Sequence, residues 1–174
     1  MSIPNLLTLI RIILIPWFAI LLINGSFKQA LWVFAGAAVT DALDGFTARW
    51  FSQKTRLGSL LDPIADKLLL STAFIALAIK KEIPVWLSVI VISRDVVIVL
   101  GVSVLFLSQI RVEMNPTIYS KMTTLFQLLL ILLVLSSGYV HFADWLRQGL
   151  VWTTLIFTVF SGIHYIFTGL KILT

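Results

Sequence analysis

The sequence predicts an all-α polytopic membrane protein with six transmembrane helices, on three observations. Of the 174 residues, 59% are hydrophobic and 12% charged, whereas a soluble domain is about 45–50% apolar and about 25% charged. The apolar residues fall into six runs, each near the length of about 20 residues that a bilayer-crossing helix needs. None of the runs alternates as the strands of a membrane barrel do.

The first run covers about residues 5–24 within MSIPNLLTLIRIILIPWFAILLI. No Lys or Arg precedes it, no small-residue cleavage site follows, and Arg11 lies inside it, so a retained helix is expected rather than a signal peptide. The Asn24-Gly25-Ser26 turn leads to the second run, 29–50, and Ser52-Gln53-Lys54-Thr55-Arg56 leads to the third, 58–79. Lys80-Lys81-Glu82 then precedes the fourth, 84–107. The fifth, 117–138, and the sixth, 146–170, follow the polar stretches 109–115 and 136–144. Pro84 and Pro116 stand where helices begin, a place that tolerates a missing N–H. Trp32, Trp86, Trp145 and Trp152 fall near run ends, as interfacial anchors do. No repeat, low-complexity tract or linker divides the chain, so residues 1–174 are expected to form a single six-helix domain.

The net charge of +5 has no nucleic-acid module to serve, and the cations are expected at an anionic lipid surface instead. With no Cys, disulfide and thiolate chemistry are excluded. Arg49, Lys54, Arg56, Arg111 and Lys171 share one side of the six-span layout, and Lys28, Lys80, Lys81 and Arg147 the other. That majority points the termini and the 50–58 connection to the cytoplasm. A short chain without a presequence suits a bacterial inner membrane.

The stretch DALDGFTARWFSQKTRLGSLLDPIAD, residues 41–66, carries four carboxylates next to lipid-like sequence. Each costs about 2.5–3.5 kcal/mol at a bilayer centre if nothing compensates it. Asp41 and Asp44 are three apart, and Asp62 and Asp66 four apart, so each pair shares a helix face. The short connection makes the second and third helices antiparallel neighbours, on which all four can converge. Such hard oxygen ligands suit Mg²⁺ or Mn²⁺, two ions of which would neutralise the set. Gly45, Ala48 and Gly58 keep the surface shallow for close approach of a ligand. Arg49 offers a planar fork of donors to phosphate oxygens. Taken singly, each of these residues also suits helix packing or an ion pair; the nearby cations do not balance four acids.

These positions resemble the signature of the CDP-alcohol phosphotransferase family, D-x2-D-G-x2-A-R-x8-G-x3-D-x3-D, matched at Asp41, Asp44, Gly45, Ala48, Arg49, Gly58, Asp62 and Asp66. The resemblance implies a six-helix enzyme that moves a phosphatidyl group from CDP-diacylglycerol to an alcohol and releases CMP. It makes Asp41, Asp44 and Asp62 metal ligands, and Asp66 both ligand and general base. It places Gly45, Ala48, Arg49, Thr55 and Gly58 at the CDP-lipid, with Asn5 of the Pro4-Asn5-Leu6-Leu7 opening closing the nucleotide site. It also implies a homodimer among membrane lipids.

For the acceptor alcohol, Arg94 in the fourth helix and Lys121 in the fifth are expected to form a cationic pocket, with Thr124 and Gln127 at helical spacing from Lys121. A pair between Arg94 and adjacent Asp95 is the alternative. The stretches IPVWLSVIVISRDVV and NPTIYSKMTTLFQ look most like the CMP-forming cardiolipin synthases, whose acceptor is phosphatidylglycerol. Phosphatidylglycerophosphate synthases, which use glycerol 3-phosphate, come second, because the second Arg many of them carry on the fourth helix is Val102 here. Arg11 is expected to snorkel to the surface rather than reach the pocket, His141 to be solvated in a loop, and His164 to be a hydrogen-bonded packing residue. From another class, a cation transporter could use the acidic cluster, but neither repeated halves nor broken helices accompany it. A lipid-binding homologue without activity is the remaining rival.

Overall fold

In the computed structural model, six helices and no strand make up the described residues: α1 (Ile3–Ile23), α2 (Phe27–Phe51), α3 (Arg56–Ile79), α4 (Val85–Leu107), α5 (Ile118–Ser136) and α6 (Asp144–Leu173). The structure describes the backbone of residues 3–51, 56–107, 118–140 and 142–173, and side chains within 10–40, 65–101, 118–140 and 142–168. All six runs expected from the sequence are helices, with ends shifted by a few residues. The protein is thus an all-α membrane bundle. Among the described residues, Ile118–Ser136 and Asp144–Thr168 are long and apolar enough to cross a membrane by themselves.

Large apolar side chains cover the surface, while several polar and charged ones join the apolar core. Ile13, Trp17, Ile20, Val89, Leu100, Phe160 and Phe167 are exposed, while Arg11, Arg94, Asp95, Gln127, Thr154, Thr158 and Ser161 are buried. Apolar surface of this kind marks contact with lipid, and charges within membrane helices face the bundle interior.

Two compact units are present. The first comprises Met1–Glu82 with Val134–His141. In it α1 packs on both α2 and α3. The stripe Arg11, Phe18, Leu22 on α1 is fully buried, and Phe18 lies 5.6 Å from Phe34 of α2, ring to ring. On α3 the buried residues Leu69, Leu70, Ala73 and Leu77 recur at helical spacing, and Asp66 extends that stripe by one turn. Tyr139 closes the unit by accepting a hydrogen bond from Trp32 Nε1 at 3.0 Å and receiving Lys28 Nζ over its ring at 4.9 Å.

Helices α1 and α3 end in the same way. Ser26 N donates to Leu21 O and Gly25 N to Leu22 O; likewise Glu82 N donates to Leu77 O and Lys81 N to Ala78 O. This pattern needs a left-handed residue after the helix. Gly25 (φ 75°) supplies it without strain, whereas Lys81 (φ 60°) adopts it with a side chain. Pro84 sits just before α4, where its carbonyl accepts from Leu87 N and Ser88 N.

The second unit, Ile83–Leu133 with Phe142–Thr174, contains α4, most of α5, and α6. Helix α4 packs on α6. Reciprocal hydroxyl-to-carbonyl bonds stitch α5 to α6: Thr123 Oγ1 to Phe157 O at 2.9 Å, and Thr154 Oγ1 to Phe126 O at 3.3 Å. The rings of Phe126 and Phe157 stack between them at 4.8 Å. Hydrogen bonds through small polar residues are a usual adhesive where lipid removes the hydrophobic drive between helices.

Candidate active site

Asp41 and Asp44 lie on α2, and Asp62 and Asp66 on α3. Asp41 precedes the end of α2 by ten residues and Asp66 follows the start of α3 by ten, an axial distance of about 15 Å each at 1.5 Å per residue. Asp44 and Asp62 stand about 10 Å from the same two ends. Each pair therefore lies about 10–15 Å from the end of its helix, within one or two residues of the position that the expected runs 29–50 and 58–79 give it. Asn5 lies in the first turns of α1, Gly45, Ala48 and Arg49 on α2, and Gly58 on α3. Their side-chain positions, those of Asp41, Asp44 and Asp62, and the convergence of the four carboxylates fall outside the described residues, as do Thr55, Pro116 and His141.

Asp66 is described, and its partner is unexpected. Arg11 Nη1 donates to Asp66 Oδ1 at 2.7 Å, across 55 residues of sequence. The Arg11 side chain has no exposed surface, while that of Asp66 keeps 41% of its own. Arg11 therefore does not snorkel: it occupies the core stripe of α1, and its guanidinium meets a carboxylate instead of water. The two oxygens of a carboxylate offer about four lone-pair positions, and 41% of this side chain is exposed. A half-open carboxylate with hard oxygen donors, one turn from a second Asp on its helix, is chemically suited to a divalent cation.

The acceptor candidates lie in the second unit. Arg94 is buried and donates from Nη1 to Asp95 Oδ1 at 2.6 Å, and from Nη2 to Ser161 Oγ at 2.6 Å and Ser120 Oγ at 3.0 Å. The Tyr165 ring lies 5.8 Å from its guanidinium carbon. The pair with Asp95 given above as the alternative is thus formed. Arg94 Nε has no hydrogen-bond partner among the described residues. Lys121 is exposed, and with Ser120, Thr124, Leu125 and Leu128 it lines a shallow groove of about 380 Å³. Ser120 therefore joins the buried arginine to the groove wall. Lys121, Thr124 and Gln127 do not share one face: Lys121 is exposed and Gln127 buried. Two steps of three residues rotate a stripe by about 120° in a helix of 3.6 residues per turn.

His164 is exposed rather than packed in the core, with its ring 5.8 Å from Tyr119 and 6.5 Å from Tyr165. It lines, with Phe157, Phe160, Ile163 and Phe167, an apolar cavity of about 650 Å³ on α5 and α6. The roles of Ser120 and Ser161 were not apparent in the sequence. The buried spacing Thr154, Thr158, Ser161 on α6 was the signal available.

The class of protein is a transferase family to which the chain belongs: residues 1–160 match the model of the CDP-alcohol phosphatidyltransferase family. Family members are integral membrane enzymes. Among its relatives, the cardiolipin synthase (CMP-forming) of Rattus norvegicus is 37% identical over 187 residues, which cover 94% of this chain and 61% of that protein. A probable phosphatidylglycerophosphate synthase of Mycobacterium tuberculosis is 34% identical, covering 98% of this chain and 82% of the relative. The CDP-diacylglycerol–glycerol-3-phosphate 3-phosphatidyltransferase of Aquifex aeolicus is also 34% identical, covering 99% and 98%. The chain thus spans about three fifths of the length of the first of these relatives.

Proposed function

We propose that the protein transfers the phosphatidyl group of CDP-diacylglycerol to phosphatidylglycerol, giving cardiolipin and CMP; glycerol 3-phosphate is the second candidate acceptor. The observation that carries the transferase reading is the half-open Asp66 carboxylate on α3 within the matched aspartate signature. Asp66 takes the proton of the acceptor hydroxyl, whose oxygen then attacks the diacylglycerol-bearing phosphorus. The pyrophosphate bond breaks and its electron pair leaves with CMP. A carboxylate within about 3 Å of the hydroxyl suffices for that proton transfer.

Asp41, Asp44, Asp62 and Asp66 would hold Mg²⁺ or Mn²⁺, two ions in this reading, and the metal would polarise the phosphate and stabilise the departing nucleotide. Arg49, Gly45, Ala48, Gly58, Thr55 and Asn5 hold the CDP-lipid. Exposed Lys121 meets the acceptor phosphate, and Arg94 contributes by fixing Ser120 beside it. The favoured acceptor has one phosphodiester charge, which a single exposed lysine matches better than the dianion of glycerol 3-phosphate. Similarity to relatives named for both products leaves this choice to experiment. The enzyme works as a homodimer in a bacterial inner membrane, with the aspartates facing the cytoplasm.

Purified protein supplied in parallel with phosphatidylglycerol and glycerol 3-phosphate, with the lipid product identified by mass spectrometry, tests the acceptor. Cardiolipin is expected; phosphatidylglycerophosphate alone would transfer the assignment to the second candidate.

A further inference from the structure

Arg11 is fully buried, yet it bonds to a carboxylate that is not buried. A guanidinium withdrawn from water costs several kcal/mol unless it is paired, so Arg11 is held to its partner by the same energetics that would make its burial unfavourable alone. It stands on the stripe that α1 buries, with Phe18 and Leu22, and α1 packs directly on α3. Asp66 extends the buried stripe of α3, so its backbone is anchored while its carboxylate, at the edge of that stripe, needs something to fix its rotation. The Nη1–Oδ1 bond of 2.7 Å supplies this.

We propose that Arg11 is a positioning residue for Asp66: it fixes the orientation of that carboxylate from within the core, so that its exposed side faces the reacting groups. The inference rests on the transferase reading above. In this role Arg11 acts through its bond to Asp66 rather than on the reacting atoms. Loss of a partner behind a metal-binding or reacting group typically costs about 10–100-fold in affinity or rate, and a misplacement of about 1 Å costs about a hundredfold.

The test compares wild type, Arg11→Gln, Arg11→Lys, Asp66→Asn and the Arg11→Gln/Asp66→Asn double variant as purified full chains in CDP-diacylglycerol micelles. Readouts are kcat, KM for CDP-diacylglycerol, thermal unfolding, and Mn²⁺ affinity by electron paramagnetic resonance. Arg11→Gln should lower kcat by about 10–100-fold and weaken Mn²⁺ by a similar factor, with KM for the nucleotide lipid unchanged. Arg11→Lys, which keeps the charge and a donor at shorter reach, should recover part of kcat. In the Asp66→Asn background, Arg11→Gln should cause no further loss. Additive losses, or a folded Arg11→Gln variant with the kcat and Mn²⁺ affinity of wild type, would overturn the proposal. Should Arg11→Gln fail to fold, Arg11→Lys decides: lowered kcat at constant KM supports the role, and wild-type kcat refutes it. An active wild type with an unchanged arginine variant rejects only the role of Arg11; a wild type that releases no CMP rejects the transferase reading itself.

Discussion

Among the described residues, each unit pairs a buried arginine with an aspartate, and the two pairs differ in how far the carboxylate is exposed. In the first, Arg11 reaches 55 residues along the chain to an aspartate with 41% of its side chain exposed. In the second, Arg94 bonds to its neighbour Asp95, and both side chains are closed off, at 4% and 6% exposure. Two hydroxyls, of Ser120 and Ser161, take further donors of Arg94. Burial of a charge is common to both regions. What distinguishes them is whether the carboxylate still meets the outside, and only Asp66 does.

The largest contrast is expected when each aspartate loses its charge. Asp66→Asn should lower turnover by about 10²–10⁴-fold, the range supplied by a positioned acid or base, while CDP-diacylglycerol binding, read by equilibrium titration, is largely kept. An Asp66→Asn variant that turns over normally would move the base elsewhere and erase the contrast. Asp95→Asn should instead destabilise the fold by about 3–5 kcal/mol, the cost of stranding one member of a buried pair, as thermal unfolding in detergent would record.

The second pair can be sharpened further. Replacing both members, Arg94→Met with Asp95→Leu, should recover much of the stability lost in Asp95→Asn, since a well-packed apolar pair is often as stable as the ions it replaces. Thr123→Val removes one of the reciprocal α5–α6 bonds and should cost about 0.6 kcal/mol, the average for such bonds within membranes. A change of similar size lies in the first unit, at the end of α3. Lys81→Gly relieves a left-handed residue and should raise stability by up to about 1 kcal/mol, read as a higher unfolding temperature.

Much of the scaffold was legible because lipid imposes a length and a composition on each helix. All six helices followed from apolar runs and their polar breaks, and Gly25 and Pro84 fell where the breaks required. The depth of the acids was legible too: α2 ends at Phe51 and α3 begins at Arg56, within one or two residues of the expected run ends. Arg11 was misjudged because length and charge suggest snorkelling, whereas its face is set by register. Its spacing of seven and eleven residues from Phe18 and Leu22 puts it on the buried stripe. Lys121 and Gln127, six residues apart, show that two steps of helical spacing need not share a face: the first is exposed and the second buried. The hydroxyls of Ser120 and Ser161 gave little signal, since serine and threonine in membrane helices serve packing as often as sites.

CMP release from CDP-diacylglycerol, with alcohol and divalent cation omitted in turn, measures the central claim most directly. Release that requires both the alcohol and Mg²⁺ or Mn²⁺ is the predicted result. CMP formed without either one would contradict a mechanism in which the α2 and α3 aspartates hold the cation and activate the acceptor.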